Sequence, residues 1–262
     1  MAPVVPGACC IFQGTMTPYA AVVIAMSLAL SIHGAVPRAT PIVLRTIPHD
    51  TQAFTQGLFY CKGLLYESTG LYGQSSLRIL DPKDGRIIRN IPVPDIFAEG
   101  CTKMDSTVVQ LSWREGGAPI YSFPALSLKG SFSYSGEGWG LTSDSASFYM
   151  SNGSDTLYIR DKRFGVRKKV AVTLGKERLT NINELEYVKG LVYANVWYNN
   201  SIYVIRPSTG AVVRVVDCTA LVEQNAAHSD QNVLNGIAYN NDTGTFYITG
   251  KRWQFIFEVR LP

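Results

Sequence analysis

From residue 42 to residue 262 the chain alternates short apolar runs with clusters of Asp, Pro, Asn and Gly, the pattern of strands joined by tight turns. One phrase recurs: a strand, a turn, another strand. Its clearest copies span residues 77–85, 157–161 and 202–210, with a weaker copy over 119–126. With Asp81, Phe123, Asp161 and Arg206 as equivalent points, the steps are 42, 38 and 45 residues. A period near 40 containing only strands predicts propeller blades rather than a helical solenoid. Paired runs at 57–67 with 75–80, 108–113 with 120–123, 147–151 with 157–160, 185–197 with 201–206, and 236–239 with 245–250 predict five blades. Residues 42–47 and 255–261 read as the first and last strands. Pairing them would remove the open edge of a radial array. The expected fold is therefore an all-β, five-bladed β-propeller whose N-terminal strand closes the last blade. The best helical candidate is short, residues 220–226.

Bulk properties narrow the function. The chain has 262 residues, 46% hydrophobic and 17% charged, enough for a packed core and unlike a disordered chain. Its net charge of +4 comes without a Lys/Arg block or basic helix, which argues against a nucleic-acid partner. His33, His49 and His228 are the only histidines, and no CxxC or HxxxH spacing occurs, so a catalytic zinc site has little to be built from. Cys61, Cys101 and Cys218 allow one disulfide plus a free thiol, or three buried thiols.

Residues 1–37 contain no Asp, Glu, Lys or Arg, and residues 19–32 form an apolar run shorter than a spanning helix needs. Residues 1–37 read as a leader, a cleaved signal peptide routing the protein to the secretory pathway or exterior. A retained membrane anchor is the alternative, since no basic residue precedes the run. Residues 38–262 read as one β-propeller domain, with nothing arguing for more than a monomer. Sequons at Asn152, Asn199 and Asn241 agree with secretion, although such triplets also arise by chance in turns.

Each predicted blade opens with a polar or aromatic cluster: residues 54–58, 97–102, 137–142, 181–186 and 234–238. Most carry Gly, which lets the backbone turn sharply and leaves its neighbour facing the channel. A purely structural repeat would reuse one residue type. Here Gln56, Glu99, Trp139 and Asn183 occupy comparable places.

The chain resembles the plant-type glutaminyl-peptide cyclotransferases. The resemblance is carried by Phe54-Thr55-Gln56-Gly57, residues 66–73, Glu99-Gly100, residues 110–113, 137–142 and 183–187, Val196-Trp197, residues 234–238 and Thr249-Gly250-Lys251, in family order. It implies a five-bladed propeller that cyclises N-terminal glutamine of peptides or proteins to pyroglutamate, releasing ammonia without a metal cofactor. It further implies Glu99 as proton shuttle, which a raised pKa among aromatics would suit. Phe54, Phe97, Trp113, Trp139 and Trp197 would wall the pocket, and Gln56 and Asn183 would hold the substrate amine and amide. Lys251 would donate to the developing oxyanion or position Glu99. Glu67, Glu137, Glu184 and Glu186 read as structural acceptors of turn N–H groups, and Trp253 as packing. The rival reading is a non-catalytic propeller that grips peptide or glycan ligands.

Overall fold

Every paired run becomes part of a sheet in the computed structural model, which describes residues 1–3, 35–225 and 229–261. The proposed leader thus lies almost entirely outside the described residues. Among the described residues the strands form separate sheets in a β-propeller arrangement. The first sheet is Thr55–Cys61, Leu64–Thr69, Ser76–Leu80 and Ile87–Pro92. The second is Ala98–Met104, Thr107–Ser112, Gly117–Ser122 and Leu128–Ser133. The third runs Leu141–Ser143, Phe148–Met150, Thr156–Arg160 and Val166–Ala171. In the fourth, Ile182–Val188, Leu191–Val196, Ser201–Arg206 and Ala211–Asp217 are extended by Thr173–Leu174, Glu177–Arg178 and Arg38–Ala39. The last comprises Leu234–Asn240, Thr245–Gly250 and Phe255–Arg260, completed by the early strand Ile42–Pro48. That final pairing is antiparallel, with Ile42 opposite Arg260 and Pro48 opposite Phe255.

Two features differ from the sequence reading. Residues 57–67 and 185–197 are each two strands, folded back at Lys62-Gly63 and Lys189-Gly190. Both residues of each turn have positive φ (51° and 82°; 47° and 89°), the geometry that matches strand twist in a two-residue hairpin. Lysine is not the usual occupant of the first position, so the turn signal is weak. The outermost strands were also missing from the pattern. Ile87–Pro92, Leu128–Ser133 and most of Val166–Ala171 are exposed and carry little apolar periodicity. The helix is Thr219–Gln224.

Packing follows from strand order. Each apolar cluster is built between neighbouring sheets: Phe59, Tyr66 and Leu77 against Cys101 and Val108, for example, and Val109 and Leu111 against Leu141 and Phe148. Leu58, Leu65 and Leu80 pack against Ile47, Tyr247 and Ile256, so the first sheet also meets the last. Each buried Leu, Ile or Phe contributes about 1.5–3 kcal/mol, and no sheet hides its two faces alone. Among the described residues the cysteines are free, Cys101 and Cys218 buried and Cys61 half-buried.

Around the axis the innermost strands touch in sequence: Thr55–Cys61, Ala98–Met104, Leu141–Ser143, Ile182–Val188 and Leu234–Asn240, which returns to the first. Glycine makes this approach possible. A Cβ on Gly57 would lie 2.5 Å from Cys101 N, and one on Gly140 would lie 1.9 Å from Asn183 O. The fourth sheet has Glu184 where others have glycine, and its carboxylate spans the axis. Oε1 accepts from Leu58 N (3.3 Å) and Oε2 from Ile237 N (2.9 Å). Glu186 likewise accepts from Tyr239 N (2.8 Å) and Thr142 Oγ1 (3.3 Å). These acceptors bind strand N–H groups of other sheets, not turn N–H groups as the sequence reading had it. Among the sequons, Asn152 Nδ2 is occupied by Tyr158 Oη (3.3 Å), Asn199 Oδ1 caps Ser201 N (2.9 Å), and Asn241 is exposed.

Candidate active site

The starts of the innermost strands and the loops before them surround a cavity of about 460 Å³. Phe54, Gln56, Phe97, Glu99, Trp113, Trp139, Asn183, Trp197 and Lys251 all line it. These are the residues singled out from the sequence, drawn from every sheet. Leu71, Gln231 and Arg252 also line it and were not anticipated. Leu71 and Arg252 have positive φ (97° and 56°), which sequence does not announce outside Gly and Asn.

The walls are aromatic and interlocked. Phe97 meets Phe54 edge-on at 6.2 Å and Trp113 at 5.5 Å between centroids, and Trp139 meets Trp197 at 5.5 Å and 85°. Gly153, at φ 79°, backs Trp139 so closely that a Cβ would sit 2.6 Å from the indole. Glu137 orients two walls at once: its Oε2 accepts from Trp113 Nε1 and Trp139 Nε1, both at 2.9 Å. Arg114 donates to Oε1 (3.2 Å) while its guanidinium stacks 3.6 Å from the Trp113 centroid. Partial burial works against its charge, but the indoles and Arg114 hold Glu137 below the usual carboxylate range. Its partners are therefore indoles rather than a turn, a correction to the sequence reading.

On the floor, a chain of side-chain amides aims at one carboxyl. Asn235 Nδ2 donates to Thr55 O (2.9 Å) and to Gln56 Oε1 (3.2 Å). That turns Gln56 Nε2 toward Glu99 Oε1, 3.0 Å away. Glu99 Oε2 has no hydrogen-bond partner among the described residues. Burial pushes the Glu99 carboxyl well above its ordinary range; Lys251 opposes this, and Glu137 and Glu115 add to it. Lys251, also buried, lies 4.8 Å from the Phe54 centroid and 5.9 Å from that of Trp197. Burial lowers its pKa to about 8 despite the attraction of Glu99. Asn183 Oδ1 is buried without a hydrogen-bond partner among the described residues, a costly state for a carbonyl oxygen unless a ligand supplies a donor. The cavity therefore offers an aromatic cage, a carboxyl titrating high, an ammonium titrating low and a vacant acceptor. Such a set can bind a small amide-bearing group and move a proton within it.

Comparison with known proteins gives the same picture over most of the chain. The profile of the family described as glutamine cyclotransferase matches residues 17–261. The glutaminyl-peptide cyclotransferase of Arabidopsis thaliana is 34% identical over 225 residues, covering 84% of this chain and 70% of that protein. The crystal structure of Myxococcus xanthus glutaminyl cyclase superposes with a TM-score of 0.83 at 36% identity, covering 87% of this chain and 98% of that one. Fold, profile and identity agree, and the chain belongs to the glutamine cyclotransferase family.

Proposed function

We propose that the protein converts N-terminal glutamine of peptides and proteins to pyroglutamate with release of ammonia. The observation that carries this reading is the placement of buried Glu99 beside Gln56, in one aromatic cavity with Lys251 and the vacant Asn183 Oδ1. The aromatic walls confine the glutamine side chain so that its amide carbon lies against its own α-amine, a matter of orientation. The neutral α-amine nitrogen attacks that carbon. A C–N bond forms, and the carbonyl π pair moves onto oxygen. Lys251, as ammonium, donates to the developing oxyanion. Glu99 takes a proton from the attacking nitrogen and delivers it to the amide nitrogen; the oxyanion pair then re-forms the carbonyl as the C–N bond to the leaving group breaks, with loss of neutral ammonia. A carboxyl with a raised pKa can both accept and donate near neutrality. Asn183 Oδ1 accepts an N–H of the glutamine and thereby gains the hydrogen bond it lacks. Gln56, already held by Asn235, keeps Glu99 in place.

The same reading takes the fold as five-bladed, supported by the closed succession of innermost strands and by the apolar contact between first and last sheets. It takes residues 1–37 as a secretory leader, to be tested by N-terminal sequencing of the exported protein. The activity is tested by incubating a Gln-Ala peptide with purified protein and following its mass. Loss of one ammonia faster than in a protein-free control is expected. Binding of the peptide without acceleration would instead support a non-catalytic propeller.

A further inference from the structure

Three charged side chains line the cavity, Glu99, Lys251 and Arg252, and the proposed reaction uses only the first two. Arg252 sits on a turn fixed at several points. Its own N–H donates to Ala53 O (2.7 Å), Lys251 N to Val233 O (2.9 Å), and Trp253 Nε1 to Asn232 O (3.0 Å). Its φ of 56° is uncommon for a residue with a side chain, and it directs the guanidinium over the Phe54 ring, 5.6 Å from the centroid. Half-buried there, the guanidinium has no hydrogen bond or ion pair among the described residues. Residues 226–228, which are not described, contain no carboxylate either. Charged groups elsewhere around the site are matched: Arg114 with Glu137 (3.2 Å), and Glu115 with the Tyr72 hydroxyl (2.8 Å).

A fork of five N–H donors left without an acceptor beside a binding cavity suits a carboxylate. In the reading above, the α-amine is drawn inward to Glu99, so the peptide leaves the cavity past its rim. We infer that Arg252 selects the residue following the N-terminal glutamine and favours an acidic side chain there. This inference rests on the proposed cyclase activity and adds a substrate preference to it.

The test compares kcat/KM for otherwise identical peptides beginning Gln-Glu, Gln-Ala and Gln-Lys. In the wild-type protein Gln-Glu should be favoured over Gln-Lys by about two- to fivefold, the range of a partly exposed charge pair. Arg252→Met should bring the ratio close to one, Arg252→Lys should retain part of it, and Arg252→Glu should invert it. In wild type alone, 0.5 M NaCl should shrink the ratio through screening, which needs no variant to fold. A flat wild-type ratio, or one that survives in Arg252→Met, overturns the inference while conversion of Gln-Ala leaves the cyclase reading standing. If none of the three peptides is converted, both fall.

Discussion

Two buried acid–base pairs meet the turn at residues 251–253, one through the Trp253 carbonyl and one through Lys251 itself, and they are built in opposite ways. In one, His49 Nδ1 donates to Trp253 O and Nε2 to Glu67 Oε1, both at 2.9 Å, while Thr55 Oγ1 also donates to Oε1 (2.7 Å). Burial alone would neutralise both partners. Their mutual attraction and hydrogen bonds outweigh it, raising the pKa of His49 and lowering that of Glu67. In the other, Glu99 and Lys251 are equally buried but form no ion pair among the described residues, and burial wins: Glu99 titrates high and Lys251 near 8. The first pair anchors the turn through the Trp253 carbonyl. The second is left unsettled in a cavity, where a substrate can complete it. Burial alone does not mark a functional acid; burial without a tight partner does.

Substitutions should separate the pairs. The largest effect is expected from Glu99→Gln, which can still accept from Gln56 but cannot carry a proton. Pyroglutamate formation should fall by about 10²–10⁴-fold with no loss of thermal stability. Glu67→Ala should do the reverse, costing about 3–5 kcal/mol in urea unfolding by leaving buried His49 without its carboxylate, whereas Arg78 keeps Asp50 (2.9 Å). A large rate loss without unfolding in that variant would break the distinction.

Lys251→Met sharpens it further. A lysine whose pKa drops from 10.5 to about 8 on folding destabilises the native state, fully below pH 8 and progressively less as pH rises toward 10.5. Removing that charge should stabilise the fold by about 3 kcal/mol at pH 7 while slowing turnover. It should also abolish the decline in kcat expected as pH rises through about 8 and Lys251 loses its proton. The His49–Glu67 pair has the opposite signature. The His49 contribution is complete below pH 6.5 and fades as pH rises through its raised value; that of Glu67 is complete above pH 4.5 and is lost as pH falls through its lowered one. The smallest effect is expected for Asn183→Ala, which removes the unpartnered carbonyl. About 1–3 kcal/mol should be lost from kcat/KM, with little change in unfolding.

Sheet order was legible because the strands repeat; the cavity lining was legible in part from the segments opening each sheet, while Trp113, Trp197 and Lys251 came only from the family resemblance. The inner and middle strands carry apolar residues on buried faces, and the segments opening each sheet hold the residues that meet at the mouth. The outer strands escaped because solvent accepts almost any side chain there, as the run Arg167-Lys168-Lys169 shows. Partner choice was not legible either. Glu67 looked like a turn acceptor, yet its partner is His49, eighteen residues away and brought close because the first sheet packs against the last. Glu137 stands beside Trp139 in sequence, but its bond to Trp113 requires two loops to meet. Arg252 gave no signal beyond following Lys251, since its role depends on a left-handed turn.

The central claim, that Glu99 is a buried carboxyl left without a settling partner, can be examined by infrared titration of the free protein. The difference between wild type and Glu99→Gln isolates one carboxyl band among the several buried glutamates. A protonated C=O stretch that persists well above pH 4.5 is the predicted result. A carboxylate band already complete at pH 5 would contradict the account.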